Sequence, residues 1–398
     1  MHFNPKIKID DYLIKQKYLL FIFLISISIR IVSSFIFDFQ FPDANHYLFM
    51  SIELEKNLIF ENDLSMPGYP FILMISNILF NNHYILDLLL SSFFPIIIYF
   101  LSLSIFKKKK IALITSLITA FYPMNIFYSF AGLSENSFVF FIYLSFLFFY
   151  NKKYYSSFFF LILATYIRPV SEFFIPILIM HIMLNEKNNI KQITLISLKF
   201  AFLYCVFFSP WWIYNYNKYD TFVRTTLGTG QVLYLGNNKD NLTGGNNIGV
   251  DGNFEKFQNI TDPIQKNKVI LNETVKFILD NPLKFINLSF KKFIRYWNVF
   301  PNNENLKSNK LFKYVIFLSF FPILTMFCIY IFKNYKKRSF QNSSLLFLFV
   351  LYMTAIHVIT ISSLRYRYPI EPILIIFAGK LFSDFLFKNK YLLKISKK

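Results

Sequence analysis

The 398-residue sequence predicts an all-α polytopic membrane protein with about ten transmembrane helices, interfacial helices in a first outer loop and a small mixed extracytoplasmic region. Three observations carry that expectation. The chain is 55% hydrophobic and holds 54 phenylalanines, more apolar surface than a soluble core of this length buries, whereas a bilayer accommodates it. The apolar residues gather into runs near the length of a bilayer crossing. Between the runs, basic residues fall on alternate connections, as topogenic charges do.

The expected spans are 18–37, 84–106, 111–128, 134–150, 156–167, 170–184, 193–213, 311–332, 343–361 and 370–387. Two short ones flank Arg168 and read as a broken hairpin that does not cross fully. The first run, Tyr18 to Phe37, is long and has no small-residue cleavage site after it, so it reads as a retained signal anchor. One set of connections carries Lys6, Lys8, Lys15 and Lys17, then Lys107 to Lys110, Lys152 and Lys153, Lys187 and Lys191, Lys333 with Lys336, Lys337 and Arg338, and the lysine-rich tail from Lys388. Residues 38–83 hold only Lys56 against Asp38, Asp43, Glu53, Glu55, Glu61 and Asp63. The positive-inside rule then places both termini in the cytoplasm and residues 38–83 outside. The apolar stretch 67–80 is not counted as a span, because crossing there would turn Lys107 to Lys110 outward. It reads as a helix in the outer interface.

This division gives an N-terminal transmembrane module over 1–213, an extracytoplasmic region over 214–310 and C-terminal transmembrane helices over 311–398. The outer region begins loop-like, with Leu227-Gly228-Thr229-Gly230, Gly236-Asn237-Asn238 and Gly244-Gly245-Asn246-Asn247. After Asn281-Pro282, the apolar residues Leu283, Ile286, Phe290, Phe293, Ile294 and Trp297 recur at helical spacing, with Lys284, Lys291, Lys292 and Arg295 on the other side. That pattern predicts an amphipathic helix on the membrane surface. The net charge of +20 invites a nucleic-acid partner, but it sits in short runs between apolar segments with no nucleic-acid motif, which excludes that class. The two cysteines, Cys205 and Cys328, lie in apolar runs, so neither a disulfide framework nor a cysteine metal knuckle is available. No internal repeat of the kind transporters use is evident.

The chemistry-bearing residues cluster at predicted outer helix ends. Asp43 and Tyr47 in Phe41-Pro42-Asp43-Ala44-Asn45-His46-Tyr47 share a face if helical. A carboxylate there acts either as a general base toward an acceptor or simply as an acidic helix start. Asp43 and His46 are two potential metal ligands without a third, so a divalent metal is possible but unsupported, and no cofactor is expected. Glu135 opens the fourth span, either facing a polar cavity or favoured by the helix dipole. Arg168 precedes Pro169 with Glu172 four residues on, so it either grips a phosphodiester or pairs with Glu172. Arg365 and Arg367 break the positive-inside bias, consistent with an anionic lipid head group or with snorkelling to the outer leaflet.

In order along the chain, Pro42-Asp43…Tyr47, Pro67-Gly68-Tyr69-Pro70, Leu133-Ser134-Glu135, Thr165-Tyr166-Ile167-Arg168-Pro169, Pro210-Trp211-Trp212-Ile213-Tyr214-Asn215, Leu233-Tyr234-Leu235-Gly236-Asn237-Asn238 and Arg365-Tyr366-Arg367-Tyr368-Pro369, with His357 upstream, resemble the motifs of the integral-membrane GT-C glycosyltransferases. The likeness is to the bacterial branch related to dolichyl-phosphate-mannose–protein mannosyltransferases and lipid A aminoarabinose transferases. Tyr214 stands where that family often has arginine, Ser65-Met66 where it often has a basic residue, and Ala44 where many members carry a second acid.

The resemblance implies transfer of a sugar from a polyprenyl-phosphate carrier to lipid A, a glycan or a protein at the outer face of the inner membrane, with inversion. It implies Asp43 as base, Glu135 as a second catalytic acid positioning the acceptor or a metal, and Arg168, Arg365 and Arg367 on the leaving phosphate. Tyr47, His46, Tyr69 and Asn215 complete the implied substrate contacts. A lipid-linked sugar flippase and an O-antigen-type polymerase are the alternatives. The first would have charges lining a mid-membrane path, and the second would take pyrophosphate-linked chains.

Overall fold

The computed structural model describes residues 5–36, 41–60, 64–185, 190–245, 247–301 and 310–395. Asp38, Glu61, Asp63 and Lys187, used above to orient the chain, lie outside these. The described residues are mostly helical and contain no strand, only one isolated bridge between Ile248 and Gly252. The helices are α1 (Pro5–Ile36), α2 (Pro42–Asn57), α3 (Gly68–Phe80), α4 (Ile85–Phe106), α5 (Lys109–Phe121), α6 (Pro123–Tyr128), α7 (Glu135–Tyr150), α8 (Tyr154–Ile167), α9 (Phe174–Asn185), α10 (Ile190–Tyr219), α11 (Thr229–Gly236), α12 (Pro263–Asp280), α13 (Pro282–Trp297), α14 (Lys310–Asn334), α15 (Ser344–Ile359) and α16 (Glu371–Ile395). Short helical turns over Arg338–Gln341 and Leu364–Arg367 connect the last three.

Among the described residues, four stretches are long and apolar enough to cross a bilayer: 17–36, 85–106, 194–219 and 311–334. Five more apolar helices are shorter, including α7, α8 and α15. At 1.5 Å per residue the 14 residues of α8 reach about 21 Å, short of the ~30 Å hydrocarbon core. The expected span 111–128 is two helices. Tyr122 is extended ahead of Pro123, the conformation a pre-proline residue favours, and the ladder breaks there. Buried Arg30 on α1 answers the break: its Nη1 reaches the Ala120 carbonyl at 3.5 Å and its Nε donates to Ser91 Oγ, which in turn donates to the Asn125 carbonyl at 3.2 Å.

The expected span 193–213 lies inside a longer helix. α10 runs on to Tyr219 through Pro210, whose missing N–H leaves the Val206 carbonyl free, and Ser209 Oγ takes that carbonyl at 2.9 Å. Among the described residues, 214–301 hold helices joined by loops and no strand. Asp262 caps α12 by accepting from the Ile264 and Gln265 amides at 3.1 and 3.3 Å. The asparagine-rich loop folds on side-chain bonds instead of a strand ladder: Asn238 Nδ2 donates to the Tyr234 and Asp251 carbonyls, and Asn241 Nδ2 to the Leu235 carbonyl.

α13 forms where the spacing predicted it. Leu283, Ile286, Phe290, Phe293 and Ile294 are all exposed. Its basic side chains also bond to neighbouring segments, and of the four only Lys292 is buried. Lys284 donates to the Lys239 carbonyl, Lys291 to the Leu242 carbonyl, Lys292 to the Ile359 and Thr360 carbonyls and to Asn237 Oδ1, and Arg295 to the Ser362 carbonyl. The helix is thereby clamped onto the chain between α15 and α16, which leads directly to Arg365. Gly236 is required at this junction, since a Cβ there would lie 1.7 Å from the Thr360 carbonyl oxygen.

Candidate active site

Helix ends far apart in sequence meet at one cluster of charges. Asp43 occupies the first turn of α2, after Pro42 at the first helical position, and the residue flanking the helix start is Phe41. Asp43 is therefore not the helix cap, and its carboxylate is left for a tertiary partner. That partner is Arg365, whose Nη1 donates to Asp43 Oδ2 while its Nε donates to Glu135 Oε1. Glu135, the first residue of α7, also receives Arg168 Nη1 on the same oxygen. Glu135 is fully buried, and its Oε2 has no hydrogen-bond partner. Asp43 is 54% exposed, so the cluster opens outward on its side.

Two arginines meet on the one buried acid, and with Asp43 the formal charges of the cluster balance. Burial would push the Arg168 guanidinium down, but the Glu135 carboxylate outweighs it and holds it above its ordinary value. Arg365 is likewise opposed by burial and raised well above the ordinary range by Glu135, with Asp43 adding to it. Arg168 commits Nη1 alone and Arg365 commits Nε and Nη1 to the carboxylates, so N–H donors remain on both forks for an anionic ligand.

The surrounding walls position this cluster. The Tyr47 hydroxyl meets Ser134 Oγ at 3.4 Å, and Arg168 Nη1 reaches the same oxygen at 3.5 Å. The Tyr47 ring packs edge-on against Tyr69. Behind them, Asp87 on α4 accepts from the Tyr69 hydroxyl at 3.3 Å, Asn136 Nδ2 at 2.9 Å and Ser137 Oγ at 2.7 Å, tying α3 and α7 to α4. Gly68 lets α3 begin against the end of α8. A Cβ on it would lie 2.5 Å from the Tyr166 carbonyl oxygen, two residues before Arg168.

The predicted residues divide clearly. Asp43, Glu135, Arg168 and Arg365 converge, and Tyr47 stands at their edge. His46 is exposed on α2, and among the described residues no three His, Cys, Asp or Glu side chains gather as metal ligands. Tyr69 is fully buried in the supporting wall. Asn215 lies elsewhere, buried and donating to the Val223 carbonyl at 3.2 Å. With Trp211 and Trp212, which donate to the Thr225 and Arg224 carbonyls, it pins the chain after α10. Tyr214 is engaged with both backbone groups of Phe60.

Arg367 does not join that cluster. It is 1% exposed, bonded to Glu371 at 2.7 Å and to the Tyr296 and Asn298 carbonyls. Residues two apart in a helical turn point to nearly opposite sides, about 200° apart, so Arg365 and Arg367 cannot both face the cluster. Glu172 pairs with Arg224 at 3.3 Å and Tyr204 at 2.6 Å rather than with Arg168. Asp87 was not among the expected residues, although an acid inside an apolar run is a signal available from sequence.

No family model matches the chain, and no curated protein matches it. Its fold is similar to that of the oligosaccharyltransferase AglB from the archaeon Archaeoglobus fulgidus, solved in complex with an inhibitory peptide and a dolichol-phosphate, with a TM-score of 0.58 at 14% identity. It is similar also to the apo form of an Archaeoglobus fulgidus oligosaccharyltransferase, with a TM-score of 0.56 at 14% identity. Each alignment covers 96% of this chain and 51% of the other, so the chain spans about half the length of these proteins.

Proposed function

We propose that this protein is a GT-C-type glycosyltransferase of the bacterial inner membrane that moves a sugar from a polyprenyl-phosphate carrier to a lipid, glycan or protein acceptor on the outer face. The observation that carries this reading is the junction of Asp43, Arg365, Glu135 and Arg168, contributed by four separate helix ends. The fold likeness to an oligosaccharyltransferase solved with a dolichol-phosphate supports it. In this scheme the uncommitted N–H donors of Arg168 and Arg365 take the carrier phosphate. The exposed Asp43 carboxylate faces the acceptor. As the acceptor oxygen or nitrogen bonds to the anomeric carbon, its proton passes to Asp43. The bond from that carbon to the phosphate oxygen breaks with its electron pair going to the phosphate, and the configuration inverts. The growing negative charge falls between guanidinium groups already oriented by Glu135.

The test uses the full chain in lipid nanodiscs with a labelled polyprenyl-monophosphate sugar and a membrane extract as acceptor. Asp43→Asn is expected to lower transfer by a factor of about 10² or more while insertion is unchanged. Wild-type rates in that variant would remove Asp43 as base. Use of a pyrophosphate-linked chain and refusal of the monophosphate donor would favour a polymerase.

A further inference from the structure

Glu135 restrains Arg168 from one direction only, and a flat support restrains it from another. The Arg168 guanidinium carbon lies 5.4 Å from the centroid of the Tyr366 ring. That ring stacks on His357, with centroids 4.9 Å apart and planes within 6°. His357 stacks in turn on Tyr296, at 5.7 Å and 19°. A column of side chains therefore runs from α13 through the last turn of α15 and the Arg365 turn to Arg168.

The hydrogen bonds of His357 do not explain its presence there. Its Nδ1 sits 3.1 Å from the Ile361 carbonyl, which only accepts, so Nδ1 carries the proton. Its Nε2 is buried and has no hydrogen-bond partner. A buried imidazole with half its polar capacity unused is retained for its ring surface. The column is also held along its length. The Tyr296 hydroxyl donates to the Tyr366 carbonyl at 3.4 Å, and Ser362 Oγ donates to the Lys292 carbonyl at 2.8 Å.

We infer that His357 is a positioning residue that acts through Tyr366, holding the Arg168 guanidinium at the angle where its free N–H donors meet the carrier phosphate. This inference rests on the reading of Arg168 as a phosphate ligand. Without a ring at position 357, Tyr366 tilts into the vacated space. Arg168 then keeps its ion pair with Glu135 but pivots about it.

The probe is a polyprenyl monophosphate carrying no sugar, bound to the full chain in nanodiscs and read by equilibrium binding, so turnover is not needed. Arg168→Gln is expected to weaken binding strongly. His357→Ala is expected to weaken it about tenfold, the scale of a desolvated cation–π contact. His357→Phe, which keeps a stacking ring and loses only the Nδ1 bond, is expected to stay within about twofold. If Arg168→Gln binds like the wild type, the phosphate reading fails and this inference falls with it. If Arg168→Gln is weakened but His357→Ala binds normally, the inference alone is overturned. Equal loss in His357→Ala and His357→Phe would assign the effect to the Ile361 bond and also overturn it. Should His357→Ala fail to fold, Tyr366→Leu against Tyr366→Phe poses the same question, and equal affinities in that pair would overturn it.

Discussion

Glu135 shows how one buried carboxylate organises two cations. It is the common acceptor of Arg168 and Arg365, and its own burial is tolerable only because both are charged and aimed at it. Replacing it by glutamine leaves two guanidinium groups facing a neutral amide. The arginine side chains are 19% and 25% exposed, and water screens part of that loss, so Glu135→Gln is expected to cost about 1–3 kcal/mol. A thermal melt in nanodiscs measures it. Transfer should fall further than stability, because the phosphate donors lose their orientation. Arg365→Lys is the companion variant: it keeps the charge but cannot span Asp43 and Glu135 at once, and transfer is expected to fall about 10- to 100-fold.

The helix α13 combines two faces with different tasks. Its exposed apolar stripe suits a bilayer interface, while its basic face is spent on backbone carbonyls of the asparagine-rich loop and of the segment after α15. Lys292 is the centre of that clamp, fully buried with three oxygen acceptors. Removing it in Lys292→Met strands those acceptors and is expected to cost about 2–4 kcal/mol, seen as a lower melting temperature. The pH dependence should change as well. Burial pushes the Lys292 ammonium down from 10.5 to about 7. Between those values the unfolded chain binds more protons than the folded one, so this group makes the wild type more stable as pH rises from about 7 toward 10. Lys292→Met should lack that contribution. Parallel slopes of melting temperature against pH for the two proteins would count against it.

At the scale of the molecule, apolar helices of unequal length supply the ends at which Asp43, Glu135, Arg168 and Arg365 meet. Among the described residues, four are long and apolar enough to cross a bilayer, while α8 ends at Ile167, just before Arg168, and α9 begins at Phe174. The alternation of basic connections supports both termini on the cytoplasmic side. Reporter fusions after Lys398 and at Asp240 are therefore expected to show opposite compartments, with the C-terminal reporter active inside the cell. Matching compartments would sink that topology and the outward-facing site with it.

Much of the helical layout was legible because hydrophobic period and proline position are local properties. The run at 84–106 became α4, the spacing after Asn281-Pro282 became α13, and Arg168-Pro169 interrupted α8 as a pre-proline residue should. The sequence reading grouped Asp43 and Glu135 with Arg168, Arg365 and Arg367, and the fold brings Asp43, Glu135, Arg168 and Arg365 together. Other roles depended on neighbours that local pattern does not specify. Asn215, Tyr69 and Arg367 look like ligands in a linear reading, yet each is buried against a partner that arrives from a distant segment or from the next turn. Asp87 and Lys292 stand out only as charges in apolar or amphipathic runs until packing supplies their acceptors and donors. Burial and the direction of a side chain are set by what packs against it, and that depends on contacts between residues as far apart as Asp43 and Arg365. Hydropathic period and proline position are local and located many of the helices, whereas three-dimensional packing decided which charges meet.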